Sequence, residues 1–166
     1  MAETPEQYAR RIRTTLGDKE PLTILQATPT KLAALVSGKS EDQLRKRPAP
    51  AKWSVAEILA HLTEAEMVIG FRVRLILGSD GVPIQAFDQD QWAKRYGNTA
   101  TAVSLDLHRA IRQANVELYR SLSPEQWKQF GMHSERGKET VADILTLQAG
   151  HDVNHLKRIE DTLGAK

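Results

Sequence analysis

Cysteine is absent from this chain of 166 residues. Its absence excludes a disulfide framework, a thiolate nucleophile and a thiolate ligand for a metal. Long apolar runs are also missing, and none approaches the roughly 20 residues that a membrane-spanning helix requires. Residues 1–13 are polar and charged and lack the apolar core of a signal peptide. These absences predict a cytoplasmic protein with no membrane partner.

Aromatic residues are scarce, with three each of tryptophan, tyrosine and phenylalanine. The net charge is +2, from 23 basic and 21 acidic residues. Basic clusters occur at residues 10–13 and 45–47, but no aromatic residue alternates with them as in a stacking surface for nucleic acid. We therefore predict no nucleic-acid partner and one globular domain over residues 1–166.

Apolar residues recur with the period of an α-helix through most of the chain, and no stretch alternates as a strand would. The first helical region covers residues 5–37. We expect it to break near Gly17–Pro21 and again at Pro29, with Thr28 as a cap, because proline removes a helix donor and clashes with the preceding turn. Four long helices with substantial connections predict an all-α four-helix bundle with short extra helices in its loops.

Two long helices have clear start signals. Ser54 and Glu57 have the spacing of a capping box, which predicts a helix from there to about Leu77. Thr140 and Asp143 form a similar pair at the start of the last helix, at residues 140–163.

The chain between these two helices is predicted to contain one further long helix, over residues 102–121. Its apolar face consists of Val103, Leu107, Ile111, Ala114 and Leu118. A short helix around residues 88–95 is expected before it. Residues 130–137 are expected to form a loop.

Two histidines interrupt the apolar face of the last helix. That face is predicted to consist of Val141, Ile144, Gln148, His151, His155, Ile159 and Thr162. A buried polar group without a partner costs on the order of 1–3 kcal/mol, so the two imidazoles need something to bond. Because residues four apart lie one above the other on a helix, one metal ion could bind both rings. Two core histidines satisfied by hydrogen bonds would give the same pattern.

A third ligand would have to come from one of the remaining histidines. His133 lies in a predicted loop, and His108 lies at the edge of the core of the third long helix. His61 lies two turns into its helix, at a depth similar to that of His151 and His155 in theirs. Geometry alone therefore favours His61 over the other two.

Two motifs now indicate a family. The run PAKWSVAEILAHL at residues 50–62 and the run GHDVNHLKRI at residues 150–159 resemble the signature of the DinB/YfiT-like superfamily. A mid-chain tryptophan segment and a Gly-x-x-Thr before the last helix also match. The resemblance spans residues 22–163, and its short motifs are specific in combination.

The resemblance implies a four-helix bundle with a divalent metal held by one histidine of the second long helix and two of the last. Carried over by position, the ligands are His61, His151 and His155. Three imidazoles suit zinc or nickel, with iron or manganese as alternatives. Three protein ligands leave a position open for water or substrate, which is typical of a catalytic site. The family also implies a homodimer.

The reaction is less well indicated. Better understood members of the family use low-molecular-weight thiols, so the resemblance implies a small-molecule substrate and an S-transferase with a thiol co-substrate. Other members are labelled hydrolases, which makes a metal-dependent hydrolase the alternative. A third interpretation is a non-catalytic, metal-binding stress-response bundle or dimer.

Four other residues near the histidines are candidates for a role. Glu64 is a candidate for a general base, with a solvated helix carboxylate as the alternative. Gln148, one turn before His151, is a candidate for orienting an imidazole. Asp152 points about 100° away from the ligand face, so it is a candidate for orienting a neighbouring ring and not for binding the metal directly. Arg72 lies at the edge of the inward stripe of its helix, where it could bind an acidic substrate or lie on the surface.

Overall fold

The computed structural model describes residues 3–164. Within them the chain forms seven α-helices and one three-stranded sheet. The helices are α1 (Pro5–Leu16), α2 (Pro21–Val36), α3 (Glu41–Arg45), α4 (Val55–Gly78), α5 (Gln89–Ala93), α6 (Thr101–Arg120) and α7 (Val141–Leu163), and the strands are β1 (Val82–Ile84), β2 (Phe130–His133) and β3 (Gly137–Thr140). In the described part of the chain, no helix combines the length and apolar character needed to cross a membrane.

Helices α2, α4, α6 and α7 form a four-helix bundle, as predicted. Helix α2 packs against α6 and α7, and α4 packs against the same two helices. Helices α4 and α6 are parallel, because their contacts advance together from Thr63–Ser104 to Arg74–Asn115. Helix α7 runs opposite to α4. Helix α1 packs along α7 outside the bundle.

Both predicted capping boxes are present. The Ser54 hydroxyl accepts a hydrogen bond from the Glu57 backbone N–H at 3.2 Å, and the Glu57 carboxylate accepts one from the Ser54 N–H at 2.8 Å. Thr140 and Asp143 make the same pair of bonds at the start of α7, each at 3.0 Å. The first turns of α4 and α7 are thus determined locally.

The predicted break at Pro29 is wrong, because α2 continues through this residue. Pro29 has no N–H to donate to the carbonyl of Leu25, four residues earlier. In the structure that carbonyl accepts a hydrogen bond from Nη1 of Arg112 on α6, at 3.0 Å. Thr28 is a helix-interior residue whose hydroxyl donates to the Ile24 carbonyl at 2.9 Å. A tertiary contact therefore replaces the hydrogen bond that proline removes.

The expected loop at residues 130–137 is also corrected. Strands β2 and β3 pair as an antiparallel hairpin, and β1, from the connection after α4, pairs in parallel with β2 so that Ile84 lies opposite His133. Strands of three or four residues are too short to show a reliable alternation in sequence. The predicted short helix near residues 88–95 is confirmed as α5.

The predicted apolar face of α6 is wrong. Val103 and Leu107 are 55% and 41% exposed. The buried stripe is instead largely polar and consists of Thr101, Ser104, His108, Arg112, Asn115, Val116 and Tyr119. Such a stripe can face a bundle interior only when other helices supply partners for it.

Arg112 finds these partners at the centre of the bundle, where it is 2% exposed. Its Nε donates to Glu66 of α4 at 2.8 Å, and its Nη1 and Nη2 donate to Asp152 of α7 at 2.5 and 3.1 Å. With the Leu25 carbonyl, these bonds join all four bundle helices. Apolar clusters lie on either side of this polar layer, one around Leu25, Val73 and Ile144 and the other around Leu32, Ile58 and Ile159.

Replacement of Arg112 by methionine is expected to lower the free energy of unfolding by about 3–5 kcal/mol, because Glu66 and Asp152 would remain buried without their cation. Urea denaturation followed by circular dichroism measures this change. The control is Arg109→Met, on the exposed side of α6, where the ion pair with Asp106 is solvated and its loss costs less than about 1 kcal/mol. Equal effects of the two substitutions would contradict a central role for Arg112.

Candidate metal centre

His61, His151 and His155 converge in the structure. One ligand atom from each ring lies within 4.8 Å of the other two, and all three residues are buried. Nε2 of His61 is 2.9 Å from Nε2 of His151. Two nitrogens bound to one tetrahedral zinc at about 2.0–2.1 Å lie about 3.3 Å apart, so only a small adjustment separates this spacing from that of a metal site.

Helix geometry explains the convergence. His151 and His155 lie on successive turns of α7, with ring centroids 4.4 Å apart. Helix α4 crosses them in the opposite direction and places the ring of His61 5.0 and 4.9 Å from theirs. Each helix begins at its own capping box, so the depth of each histidine follows from the sequence, while their meeting requires the bundle.

Burial keeps the three imidazoles neutral. Loss of solvent lowers the pKa of His151 to about 4. Burial, followed by the neighbouring His151, also lowers the pKa of His61 and of His155 well below the ordinary value. A neutral imidazole has a free lone pair, which is the form that binds metals.

One nitrogen of the cluster is fully buried without a hydrogen-bond partner. Nδ1 of His155 is buried and unpaired among residues 3–164. Two core histidines satisfied by protein hydrogen bonds would not leave such an atom. Three neutral rings and an unmet nitrogen therefore fit a divalent metal better than a closed hydrogen-bonded core.

Two aromatic residues contact the histidines and were not identified from the sequence. The hydroxyl of Tyr96, which is fully buried, lies 3.2 Å from Nδ1 of His61. In the tautomer that leaves Nε2 free for a metal, Nδ1–H donates to this oxygen and orients the ring. Trp53 packs on His61 and stacks with His155, at centroid distances of 4.9 and 6.4 Å. Trp53 lies in the first motif, whereas Tyr96 lies in a connection with no signal of its own.

Gln148 and Asp152 lie beside the cluster, but their described hydrogen bonds go elsewhere. The Gln148 amide donates to Glu66 at 2.6 Å and accepts from Tyr119 at 3.1 Å, and Asp152 binds Arg112. Both thus belong to the polar layer around Arg112. Any effect of theirs on the orientation of the imidazoles would come from the position that these bonds give to α7.

Glu64 is half-buried and is not part of the three-histidine cluster. It lines a shallow surface cleft with Met67, Trp92 and Arg95. Partial burial raises the pKa of its carboxyl group. Its role as a general base stays a prediction.

A cavity of about 510 Å³ opens beside the cluster. His61 and His151 line it together with Ala65, Ile69 and Arg72 of α4, Ile144, Leu147 and Gln148 of α7, Phe87 of the connection, and His133, Arg136 and Glu139 of the hairpin. This volume lies in the range of small-molecule sites. The arrangement combines a candidate metal position with room for a substrate.

Comparison with known proteins identifies the family. A model described as the DinB superfamily matches residues 24–159. The chain therefore belongs to the DinB superfamily, as its motifs indicated.

Individual relatives agree with this assignment. A protein of Oceanobacillus iheyensis named "putative metal-dependent hydrolase" is 26% identical over 136 residues, which cover 81% of this chain and 79% of that protein. YfiT of Bacillus subtilis, which carries the same description, is 26% identical over 144 residues, or 84% and 80% of the two chains. A solved structure of Bacillus subtilis YfiT, titled a "probable metal-dependent hydrolase", superposes with a TM-score of 0.78 at 21% identity, over 99% of this chain and 92% of that one. The superposition confirms the fold.

Substitution Tyr96→Phe is expected to weaken binding of zinc or nickel by about 10- to 100-fold, because the His61 ring loses the partner that orients it. Competition with a chromophoric chelator measures the affinity. Tyr119→Phe is the matched control, since it also removes one buried phenol hydroxyl but contacts Gln148 and no histidine. Similar losses in the two variants would show that Tyr96 acts only through the stability of the fold.

Proposed function

We propose that this member of the DinB superfamily is a metal-dependent enzyme that acts on a small molecule. The observation that carries the proposal is the convergence of three buried, neutral histidines beside a cavity of substrate size. The description of several relatives as metal-dependent hydrolases supports it. His61, His151 and His155 are the proposed ligands, and zinc or nickel is the proposed ion, with iron or manganese as alternatives.

The proposed metal, when bound, supplies Lewis acidity and lowers the pKa of a nucleophile in its open position. The protein residues around it have separate roles. Tyr96 orients the His61 ring through Nδ1, and Trp53 shields His61 and His155 from water on one side. Low dielectric at the three rings strengthens their interaction with a cation.

Hydrolysis is one reaction that fits this site. The names of the relatives favour it, and the cavity leaves space for water and a small substrate beside His61 and His151. In this reaction the side chains hold and orient the substrate while water is the nucleophile.

Thiol-dependent transfer is the second reaction, and the state of the buried carboxylates favours it. Glu66 and Asp152 are bound to Arg112, Glu139 is bound to Arg136, and Glu57 is bound to Arg47. No buried carboxylate of the described residues is thus free to act as a general base near the histidines. A thiol needs less help than water, because its ordinary pKa of about 8.5 is already close to neutral. A low-molecular-weight thiol is therefore the proposed co-substrate.

The family resemblance implies a homodimer, and a role in stress response belongs to the non-catalytic alternative; both stay predictions. Four exposed apolar side chains offer surface for a second copy: Met67 and Phe71 on α4, and Val103 and Leu107 on α6.

Metal binding itself is the first test. Protein stripped with a chelator and reloaded is expected to bind one zinc or nickel ion per chain, measured by elemental analysis after gel filtration. His151→Ala is expected to lower the affinity at least 100-fold, because two ligands hold an ion much less tightly than three. His108→Gln is the control, since His108 is also buried but lies outside the cluster. Loss of metal in neither variant, or in both, would contradict the proposed ligand set.

Turnover tests the enzyme proposal. The metal-loaded protein is assayed with esters, amides and electrophilic halides, with and without a low-molecular-weight thiol. Turnover without thiol indicates hydrolysis, and strict dependence on thiol indicates transfer. His61→Ala is expected to abolish either activity, because it removes a ligand. Stoichiometric metal without turnover would contradict the enzyme proposal and favour the non-catalytic bundle.

A further inference from the structure

The cavity has a second polar end, formed by Arg72 and His133. Arg72 lies eleven residues after His61 on α4, which is about 16 Å along the helix axis. Ala65 and Ile69 lie between them on the same face, and all four residues line the cavity. The cavity therefore extends along α4 from His61 to Arg72.

Arg72 is a buried cation without a carboxylate partner. The residue is 9% exposed, its Nη2 donates to the Gln85 carbonyl at 2.6 Å, and its guanidinium lies 5.7 Å from the centre of the Phe87 ring. None of the ion pairs in residues 3–164 includes it. Burial lowers the pKa of Arg72 to about 10, so the side chain is still charged at neutral pH. A buried charge is costly unless something compensates it.

His133 brings an unpaired donor to the same wall. It is 3% exposed, and its Nδ1 accepts a hydrogen bond from the Glu135 backbone N–H at 3.2 Å. The proton of the neutral ring is therefore on Nε2, which is buried without a partner among the described residues. Burial, with Arg136 as the next cause, lowers the pKa of His133 to about 4 and keeps the ring neutral.

The sheet places these two groups side by side. Ile84 of β1 lies opposite His133 of β2, and the next residue, Gln85, provides the carbonyl that holds Arg72. The nearby Arg136 is bound by Glu139 through two hydrogen bonds of 2.7 and 2.9 Å, so its charge is compensated. The other acidic side chains of the cavity, Glu3, Asp88, Asp90 and Glu135, are exposed at its rim. The buried part of this wall thus keeps one positive charge and one free N–H donor.

We propose that Arg72 and His133 bind an oxyanion of the substrate, a carboxylate or a phosphate, at the end of the cavity away from the three histidines. A guanidinium fork and an N–H donor together match the oxygens of such a group. The substrate class is then an elongated acidic small molecule whose reacting group lies near His61 and His151. That last step rests on the proposed function, whereas the oxyanion subsite depends only on Arg72, His133 and the sheet.

The test uses metal-free full-length protein and three probes: glutarate, methyl phosphate and the neutral glutaramide. Calorimetry is expected to show binding of at least one anion and none of glutaramide. The Nε2–H resonance of His133 is expected to shift with the same affinity. Arg72→Gln is expected to weaken binding about 10- to 100-fold, the equivalent of losing a charge-assisted hydrogen bond. Arg109→Gln, on the exposed face of α6, is expected to have no effect.

Thermal unfolding distinguishes a loss of anion binding from a folding defect. Arg72→Gln removes a buried charge, so its Tm without probe is expected to equal or exceed that of the unchanged protein, and the anion should raise the Tm of the unchanged protein only. His133→Phe, which keeps a buried ring without a donor, is expected to weaken binding about tenfold. Tighter binding of glutarate identifies a carboxylate substrate, and tighter binding of methyl phosphate identifies a phosphate ester.

Two results would overturn the subsite: no anion binding at millimolar concentrations, or the same affinity in Arg72→Gln and Arg109→Gln. Failure of the proposed function gives a different result. In that case the protein would bind no metal, or would bind it without turnover, while glutarate or methyl phosphate would still bind and would lose affinity in Arg72→Gln. His61→Ala is expected to retain anion binding, which separates the two ends of the cavity.

Discussion

The arrangement of the bundle depends on the contacts of the buried Arg112 guanidinium. It binds Glu66 on α4, Asp152 on α7 and the Leu25 carbonyl on α2. A buried ion pair contributes little net stability because desolvation offsets the attraction. An arrangement of the helices that separates the pair is costly, however, because it leaves a charge buried without its partner. Glu66 follows His61 by five residues and Asp152 directly follows His151. The ion pairs that satisfy Arg112 therefore also determine the height at which α4 and α7 face each other, and with it the meeting of the histidines.

Both ends of the cavity have buried polar groups that lack a hydrogen-bond partner or a counter-charge. His61 and His151 line one end; burial keeps these rings and the adjoining His155 neutral, and Nδ1 of His155 has no hydrogen-bond partner among the described residues. At the other end, Arg72 has a carbonyl but no carboxylate, and His133 has an unpaired Nε2. A stable core normally satisfies such groups, as it does for Arg112. Groups left unsatisfied together around a cavity are typical of a binding site.

The sequence predicted the parts of the fold that depend on neighbouring residues. The capping boxes of α4 and α7 and the stripe of α7 through His151 and His155 are local patterns, and they are confirmed. Errors arose where distant contacts override a local rule. Pro29 does not end α2 because Arg112 satisfies the Leu25 carbonyl, and α6 presents its polar side inward because α4 and α7 carry carboxylates to meet it.

The sequence by itself determined the bundle of long helices and placed each candidate ligand at a definite depth, because helical period and capping are short-range effects. Its family motifs also named His61 as the third histidine, which spacing alone only favoured. Only the tertiary structure decided which side chains surround these histidines. Tyr96 reaches His61 from 35 residues away, and β1 brings the Gln85 carbonyl beside His133. Contacts over such distances have no period in the sequence, since they depend on how the four helices and the small sheet pack together.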